Sequence, residues 1–123
     1  MDQKLEVVPV PVTDIDSSKE FYEKLGFNAD TDIEPAEGAR VVQLTPPGSA
    51  CSIVLGKGLP AFDGEPGSIR SLHLVVDDID KAREAAAGNG VEIDEVLEMP
   101  GGMKYAGFSD PDGNTWTYQQ WPA

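Results

Sequence analysis

The sequence predicts an α+β fold built from two tandem βαβββ units, and three observations support this prediction. The first is an internal repeat, in which Asp14-Ile15-Asp16 recurs 64 residues later as Asp78-Ile79-Asp80. The second is a pair of short helix patterns, each preceded by an aspartate and followed by a glycine. The third is a set of valine-rich, alternating segments that are typical of strands. A motif that recurs at a fixed spacing indicates one supersecondary unit used twice.

We predict a single domain over residues 1–123, with unit one at 1–55, a linker at 56–68 and unit two at 69–123. A chain of 123 residues is long enough to bury a core of its own. The predicted linker contains four glycines and two prolines, which are the residues that most often interrupt regular structure.

In unit one, Leu5 to Val12 predicts an edge or bulged first strand, because its two prolines cannot donate hydrogen bonds to a neighbouring strand. Asp16 is the predicted N-cap of a helix at residues 17–25, and Gly26 suits the position just after that helix. The remaining strands of unit one are predicted at 27–33, 40–44 and 51–55.

Unit two repeats this order. Ile69 to Val76 predicts its first strand, Asp80 is the predicted cap of a helix that reaches about Ala87, and Gly88-Asn89-Gly90 ends the helix. Pro100-Gly101-Gly102 predicts a mobile loop at the mouth of the sheet. The remaining strands of unit two are predicted at 91–96, 104–108 and 115–120.

The composition excludes some classes of partner. The net charge is −13, from 22 acidic and 9 basic residues, so we expect neither nucleic acid nor an anionic membrane surface as a partner. Such a charge attracts a cationic ligand, or it only keeps the protein in solution. No apolar run approaches the length of a membrane span, and the N-terminus has no signal-peptide pattern. The single cysteine, Cys51, allows no internal disulfide, so we expect a cytoplasmic protein.

Three motifs occur in a fixed order along the repeat: Val12-Thr13-Asp14-Ile15-Asp16 with Phe21-Tyr22-Glu23-Lys24-Leu25-Gly26-Phe27, then Val76-Asp77-Asp78-Ile79, then Asp110-Pro111-Asp112-Gly113-Asn114. Together they resemble the vicinal-oxygen-chelate superfamily, which includes glyoxalase I, extradiol dioxygenases, fosfomycin-resistance enzymes and bleomycin-binding proteins. The resemblance covers essentially the whole chain. It implies paired units whose curved mixed sheet forms a deep cleft. We expect a homodimer, because units of this size expose sheet edges that a partner covers.

Enzymes of the family that this chain resembles bind a divalent cation through His or Glu at matched positions of the two units. In this sequence those positions hold Val7, Ser71, Ser52 and Thr117. None of them supplies an imidazole or a carboxylate, and a catalytic metal site usually needs three such ligands. We therefore predict no metal ion, no other cofactor and no catalytic residue. The only histidine, His73, lies two residues beyond the matched position.

Strand alternation assigns side chains to the predicted cleft. Leu72, Leu74 and Val76 are apolar and should face the helix, as should Trp116 and Tyr118. The predicted ligand-binding residues lie on the cleft face, beside the glycine-rich loop or in the linker: His73, Ser71, Ser52, Thr115, Thr117, Gln43, Tyr105, Phe108, Met103, Trp121, Phe62 and Pro9. For His73, the alternative is a structural histidine bonded to a neighbouring strand.

Two functions follow from the resemblance. The first is metal-independent binding and sequestration of a small aromatic or cationic natural product, as in antibiotic-resistance proteins of the bleomycin-binding type. The second is a metal-dependent glyoxalase-like lyase or isomerase, or a dioxygenase. A third alternative is a housekeeping protein of this fold.

Overall fold

Each half of the chain folds as one strand, one helix and three further strands, which confirms the predicted α+β class and the repeated unit. The structure is a computed structural model that describes residues 1–123. Neither helix has the length and apolar character needed to cross a bilayer. The elements are β1 (Val7–Pro9), α1 (Ile15–Lys24), β2 (Asn28–Ile33), β3 (Arg40–Thr45), β4 (Ser52–Lys57), β5 (Leu72–Val75), α2 (Ile79–Gly88), β6 (Leu97–Glu98), β7 (Lys104–Ser109) and β8 (Thr115–Gln120).

The strands form two separate four-stranded mixed sheets, one in each unit. Sheet one has the order β1-β4-β3-β2, and sheet two has the order β5-β8-β7-β6. The first and last strands of each unit are parallel, and the other pairs are antiparallel. The same topology in both sheets is what the repeat in the sequence predicts.

The helix caps differ from the prediction by two residues. Asp14, and not Asp16, is the N-cap of α1, and its Oδ1 accepts a hydrogen bond from the Ser17 amide at 3.0 Å. Asp78, and not Asp80, has the same role in α2. Each Asp-Ile-Asp motif offers two candidate caps, and only the first has the extended backbone that the capping position requires. The second aspartate lies in the first turn, where the helix dipole favours a negative charge.

Residues 91–96 do not form the predicted strand. Val91 and Ile93 are buried in the core, which explains their strand-like alternation. The segment makes only an isolated bond to β7, from the Asp94 amide to the Gly107 carbonyl at 2.9 Å. The strand in this region is the short β6, which begins after the predicted one ends.

Other strand limits also move. The first strands of both units are shorter than predicted, at Val7–Pro9 and Leu72–Val75. β4 extends two residues into the predicted linker, and Pro60–Phe62 within that linker forms a single 3₁₀ turn.

One hydrophobic core is shared by both units. It contains 16 buried residues, and it takes side chains from the helix-covered face of each sheet and from both helices. Trp116 and Tyr118 are 3% and 7% exposed and belong to this core, as predicted. The ring of Tyr22, on α1, packs against Phe27 of its own unit at 5.4 Å and against Trp116 of unit two at 5.5 Å.

A buried hydrogen-bond network joins the two units inside this core. The Tyr22 hydroxyl donates to Asp110 Oδ2 at 2.7 Å and accepts from Trp116 Nε1 at 3.0 Å. Asn114 Nδ2 donates to the same Asp110 oxygen at 2.8 Å and to the Pro11 carbonyl at 2.8 Å. Burial, with the Asp110 carboxylate nearby, raises the pKa of Tyr22 well above its usual value. The helix of unit one is therefore hydrogen-bonded to the Asp-Pro-Asp-Gly-Asn turn of unit two.

We predict that Tyr22→Phe lowers the free energy of unfolding by about 1–3 kcal/mol, because it removes one hydrogen-bond donor to buried Asp110 and leaves Trp116 Nε1 without a partner. Urea unfolding followed by fluorescence measures this change. Tyr105→Phe is the matched control, since the Tyr105 ring is only half-buried and its hydroxyl makes no hydrogen bond within the chain. Equal stability of the two variants would contradict the assigned role of the network.

Candidate ligand-binding site

The two sheets turn their open faces outward. Because the helix-covered faces of both sheets meet in the shared core, the opposite faces point away from it. On sheet two, the strand register pairs His73 with Thr117. It also pairs Gln119 with Val75 on one side and with Tyr105 on the other. These five side chains lie on the same face, because paired residues of adjacent strands point the same way.

His73 has one free ring nitrogen on this face. Its Nδ1 lies 2.7 Å from the Ser71 carbonyl oxygen. A carbonyl can only accept, so Nδ1 carries the hydrogen, and Nε2, which has no partner in the chain, is an acceptor in the corresponding tautomer of the ring. The ring is exposed, and the ring of Tyr105 meets it edge-on at 6.2 Å. The histidine is therefore held by the turn that precedes it, with Nε2 left without a partner in the chain.

Ser71 is the only residue other than glycine with a positive φ, at 53°. Its amide donates to Thr115 Oγ1 at 2.8 Å, and its carbonyl accepts from His73. The left-handed region is unfavourable for residues with a Cβ, and such outliers cluster at functional sites. This turn directly precedes β5, and its carbonyl orients the His73 ring.

Asp94 adds a carboxylate that the sequence analysis missed. Gly107 is paired with Thr117 on the open face, and a Cβ at Gly107 would lie only 3.2 Å from Asp94 Oδ2. The missing side chain therefore leaves room for the Asp94 carboxylate to lie over the strand. A glycine inside a strand is the signal that could have revealed this close approach.

Large apolar side chains surround the polar groups of sheet two. Val75, Leu97 and Trp121 are each more than 60% exposed, and Met99 is 42% exposed. Leu97 pairs with Tyr105 and therefore shares its face. Val75 and Leu97 therefore place exposed apolar surface beside the polar groups of this face, and such surface marks a site for a ligand or a partner.

The open face of sheet one is less accessible to solvent than that of sheet two. Pro9 pairs with Val54, which pairs with Gln43, and the ring of Phe62 covers Gly56, where a Cβ would collide with it. Among these, Pro9 is exposed, while Gln43 and Phe62 are half-buried.

Ser52 lies on this face but is only 5% exposed. Its hydroxyl is hydrogen-bonded to Thr45, which also donates to Asp30. Asn28 also donates a hydrogen bond to Asp30, and the bonds from Thr45 and Asn28 hold the pKa of Asp30 below its usual value. The Ser52 hydroxyl is therefore engaged within the protein.

Phe108 was assigned to the cleft, and this is wrong. Phe108 is 4% exposed, because it pairs with Trp116 and so faces the core, where the two rings stack at 6.1 Å. The strand pairing also shows that Gln43 of unit one corresponds to Gly107 of unit two. Gln43 pairs with Val54, which pairs with Pro9. In the same way, Gly107 pairs with Thr117, which pairs with His73.

The predicted site residues therefore separate into three groups. Sheet two and its C-terminal end carry His73, Ser71, Thr115, Thr117, Tyr105, Met103 and Trp121. Sheet one and the segment after it carry Pro9, Gln43, Ser52 and Phe62. Phe108 lies in the core. Most residues of the first two groups lie on different outward faces, but Ser52 of sheet one and His73 of sheet two line one pocket of about 210 Å³ between the two units.

The residues at the family's metal positions do not fit a divalent cation. Val7 pairs directly with Ser52 in sheet one, whereas in sheet two Ser71 lies beside Thr115 and Thr117 pairs with His73. Valine and hydroxyl side chains lack the nitrogen and carboxylate donors that such ions need. No three His, Cys, Asp or Glu side chains converge into a metal-binding group.

Comparisons with known proteins agree with this fold. The family model of the Glyoxalase/Bleomycin resistance protein/Dioxygenase superfamily matches residues 4–118, and the chain belongs to this superfamily. A search of curated proteins gave no match.

Several solved structures are similar over almost their full length. TnmS3, an antibiotic binding protein from Streptomyces sp. CB03234, is 35% identical, with 99% of this chain and 98% of that chain covered and a TM-score of 0.80. A glyoxalase/bleomycin resistance protein from the same strain is 36% identical, with 95% and 100% covered and a TM-score of 0.78. A superfamily member from Sphaerobacter thermophilus DSM 20745 is 28% identical, with 97% and 98% covered and a TM-score of 0.80.

We predict that Ser71→Gly is at least as stable as the native protein, whereas Ser71→Val loses about 1–2 kcal/mol, because a branched side chain is the least compatible with positive φ. Thermal unfolding of both variants measures the difference. Ser109→Val is the control, because Ser109 is an exposed residue with ordinary strand geometry. A Ser71→Val variant as stable as Ser71→Gly would show that the turn carries no strain.

Proposed function

We propose that this protein binds a small aromatic natural product, such as an antibiotic, and sequesters it without changing it chemically and without a metal ion. The observation that carries the proposal is the open face of sheet two. It combines a free His73 acceptor and the Thr117 hydroxyl with exposed apolar side chains, and this is the usual composition of a small-molecule site. The similarity to the antibiotic binding protein TnmS3 supports the same function.

The chemistry of this face favours a particular kind of ligand. Tyr105 and Trp121 offer aromatic surfaces on which a flat ring can stack. His73 Nε2 would accept a hydrogen bond from a phenol or amide group of the ligand. Asp94 and the net charge of −13 favour a ligand that carries a cationic group.

We also propose that the binding cleft forms between two copies of the chain. The open faces of sheets one and two point outward, and Val75 and Leu97 remain exposed on sheet two. Apposing sheet one of one protomer and sheet two of the other would cover Val75 and Leu97 and bring the two groups of site residues together. The resulting homodimer would hold its ligand stoichiometrically, and we propose the cytoplasm as its location.

We predict saturable binding of at least one member of an antibiotic panel that includes bleomycin and doxorubicin, with the same affinity before and after EDTA treatment. His73→Ala and Thr117→Val should each weaken binding about tenfold, because each removes a hydrogen bond inside the site. Calorimetry measures the affinity, and mass spectrometry should recover the ligand unchanged.

Ser68→Ala is the control for these two variants, because Ser68 is exposed in the linker and its side chain makes no hydrogen bond. Conversion of the compound, or loss of binding after EDTA with restoration by zinc, nickel, manganese or iron, would instead indicate a metalloenzyme.

We predict that the native protein sediments as a dimer and that Leu97→Lys shifts it toward monomer, since the substitution places a charge on an exposed apolar face. Analytical ultracentrifugation measures both masses. Ala87→Lys, on the exposed surface of α2, should leave the dimer intact. A monomeric native protein, or a Leu97→Lys variant that dimerises as strongly, would count against the composite cleft.

A further inference from the structure

A second pocket lies on the helix side of the fold, and of the residues placed on the open faces only Val75 lines it. Its volume is about 340 Å³, and it lies where α1 ends, between the Pro46-Pro47 turn, the end of β5 and one face of α2. Most of its lining residues are apolar, and none of His73, Thr117 and Tyr105 is among them.

The internal repeat explains why this space is empty. The lining residues Ala82, Ala85 and Ala86 of α2 occupy the positions that Ser18, Phe21 and Tyr22 occupy in α1. In unit one, the two aromatic rings fill the space beneath the helix. In unit two, the alanines leave unfilled the space that the aromatic side chains of α1 fill in the other half.

A polar group without a partner also lines this void. Tyr118 lies in the pocket wall and is 7% exposed, and its hydroxyl makes no hydrogen bond within the chain. Burial raises the pKa of Tyr118, so the hydroxyl remains protonated and can both donate and accept. Ser18 Oγ is the only fully buried side-chain oxygen or nitrogen without a partner, so solvent reaches the Tyr118 hydroxyl, which is free to pair with a ligand in the pocket.

The rim of the pocket is fixed by a contact between the two helices. Asn89 Nδ2, just beyond α2, donates to the Lys24 carbonyl at the end of α1 at 3.1 Å. Both residues line the pocket. The opening is therefore held by the junction of the two units and does not depend on a second copy of the chain.

We propose that this pocket is a second binding site, which takes an aromatic molecule of one or two rings carrying a hydroxyl group that pairs with Tyr118. The volume suits this class, since an apolar cavity of about 150 Å³ already binds benzene. This site is independent of the cleft proposed above, and either can exist without the other.

The test is a chemical-shift titration of the isotope-labelled native protein with β-naphthol and with naphthalene. Both probes should give saturable shifts at Leu74, Ala82 and Tyr118 and none at His73 or Thr117. Tyr118→Phe should weaken β-naphthol about three- to tenfold and leave naphthalene unchanged, because only β-naphthol loses a hydrogen bond. Ala85→Phe should abolish binding of both probes by filling the void, as Phe21 does in unit one.

Ala87→Phe, at an exposed position of α2 outside the pocket, is the matched control and should bind both probes normally. The proposal is overturned by shifts confined to the open faces, by no saturable shift, or by equal β-naphthol binding in Tyr118→Phe. A change in oligomeric state in Ala85→Phe alone would also overturn it, because a second copy would then be the occupant. The Tyr118→Phe comparison remains decisive if Ala85→Phe does not fold.

Discussion

The hydrogen bond from Tyr22 to Asp110 is the interaction on which the arrangement of the molecule depends. Asp110 belongs to the turn before the last strand, and Tyr22 belongs to the helix of the other unit, so this bond fixes the first half of the chain against the second. Trp116 and Asn114 complete the hydrogen bonding of the pair. Because a buried polar group without partners is costly, the network admits one relative placement of the two units.

That placement has a consequence for function. With the helix-covered faces turned toward each other, the polar and apolar side chains of both open faces are directed outward. The hydroxyl and valine side chains at the superfamily's metal positions cannot activate a substrate through a cation, whereas His73 Nε2 can orient a bound molecule. The superfamily fold is thereby consistent with holding a ligand between two copies of the chain.

The repeat, the helices and the separation of core from open face were predictable from the sequence, because they depend on local alternation and on residues such as Gly26 and Trp116. Three features were not. Asp14 and Asp16 are chemically equivalent candidates, and only backbone geometry selects the cap. Val91 and Ile93 alternate as in a strand, but their segment lacks a paired neighbour. Asp94 reaches the site only because Gly107 has no side chain, which is a long-range effect.

A crystal structure of the protein with its tightest-binding antibiotic would show directly whether two copies of the chain enclose the ligand. We expect the compound to lie between sheet one of one protomer and sheet two of another, with a donor group of the compound within hydrogen-bonding distance of His73 Nε2 and no metal ion in contact with it. A transition-metal ion coordinated in that cleft, or a compound bound with both open faces exposed to solvent, would rule out metal-free binding between two protomers.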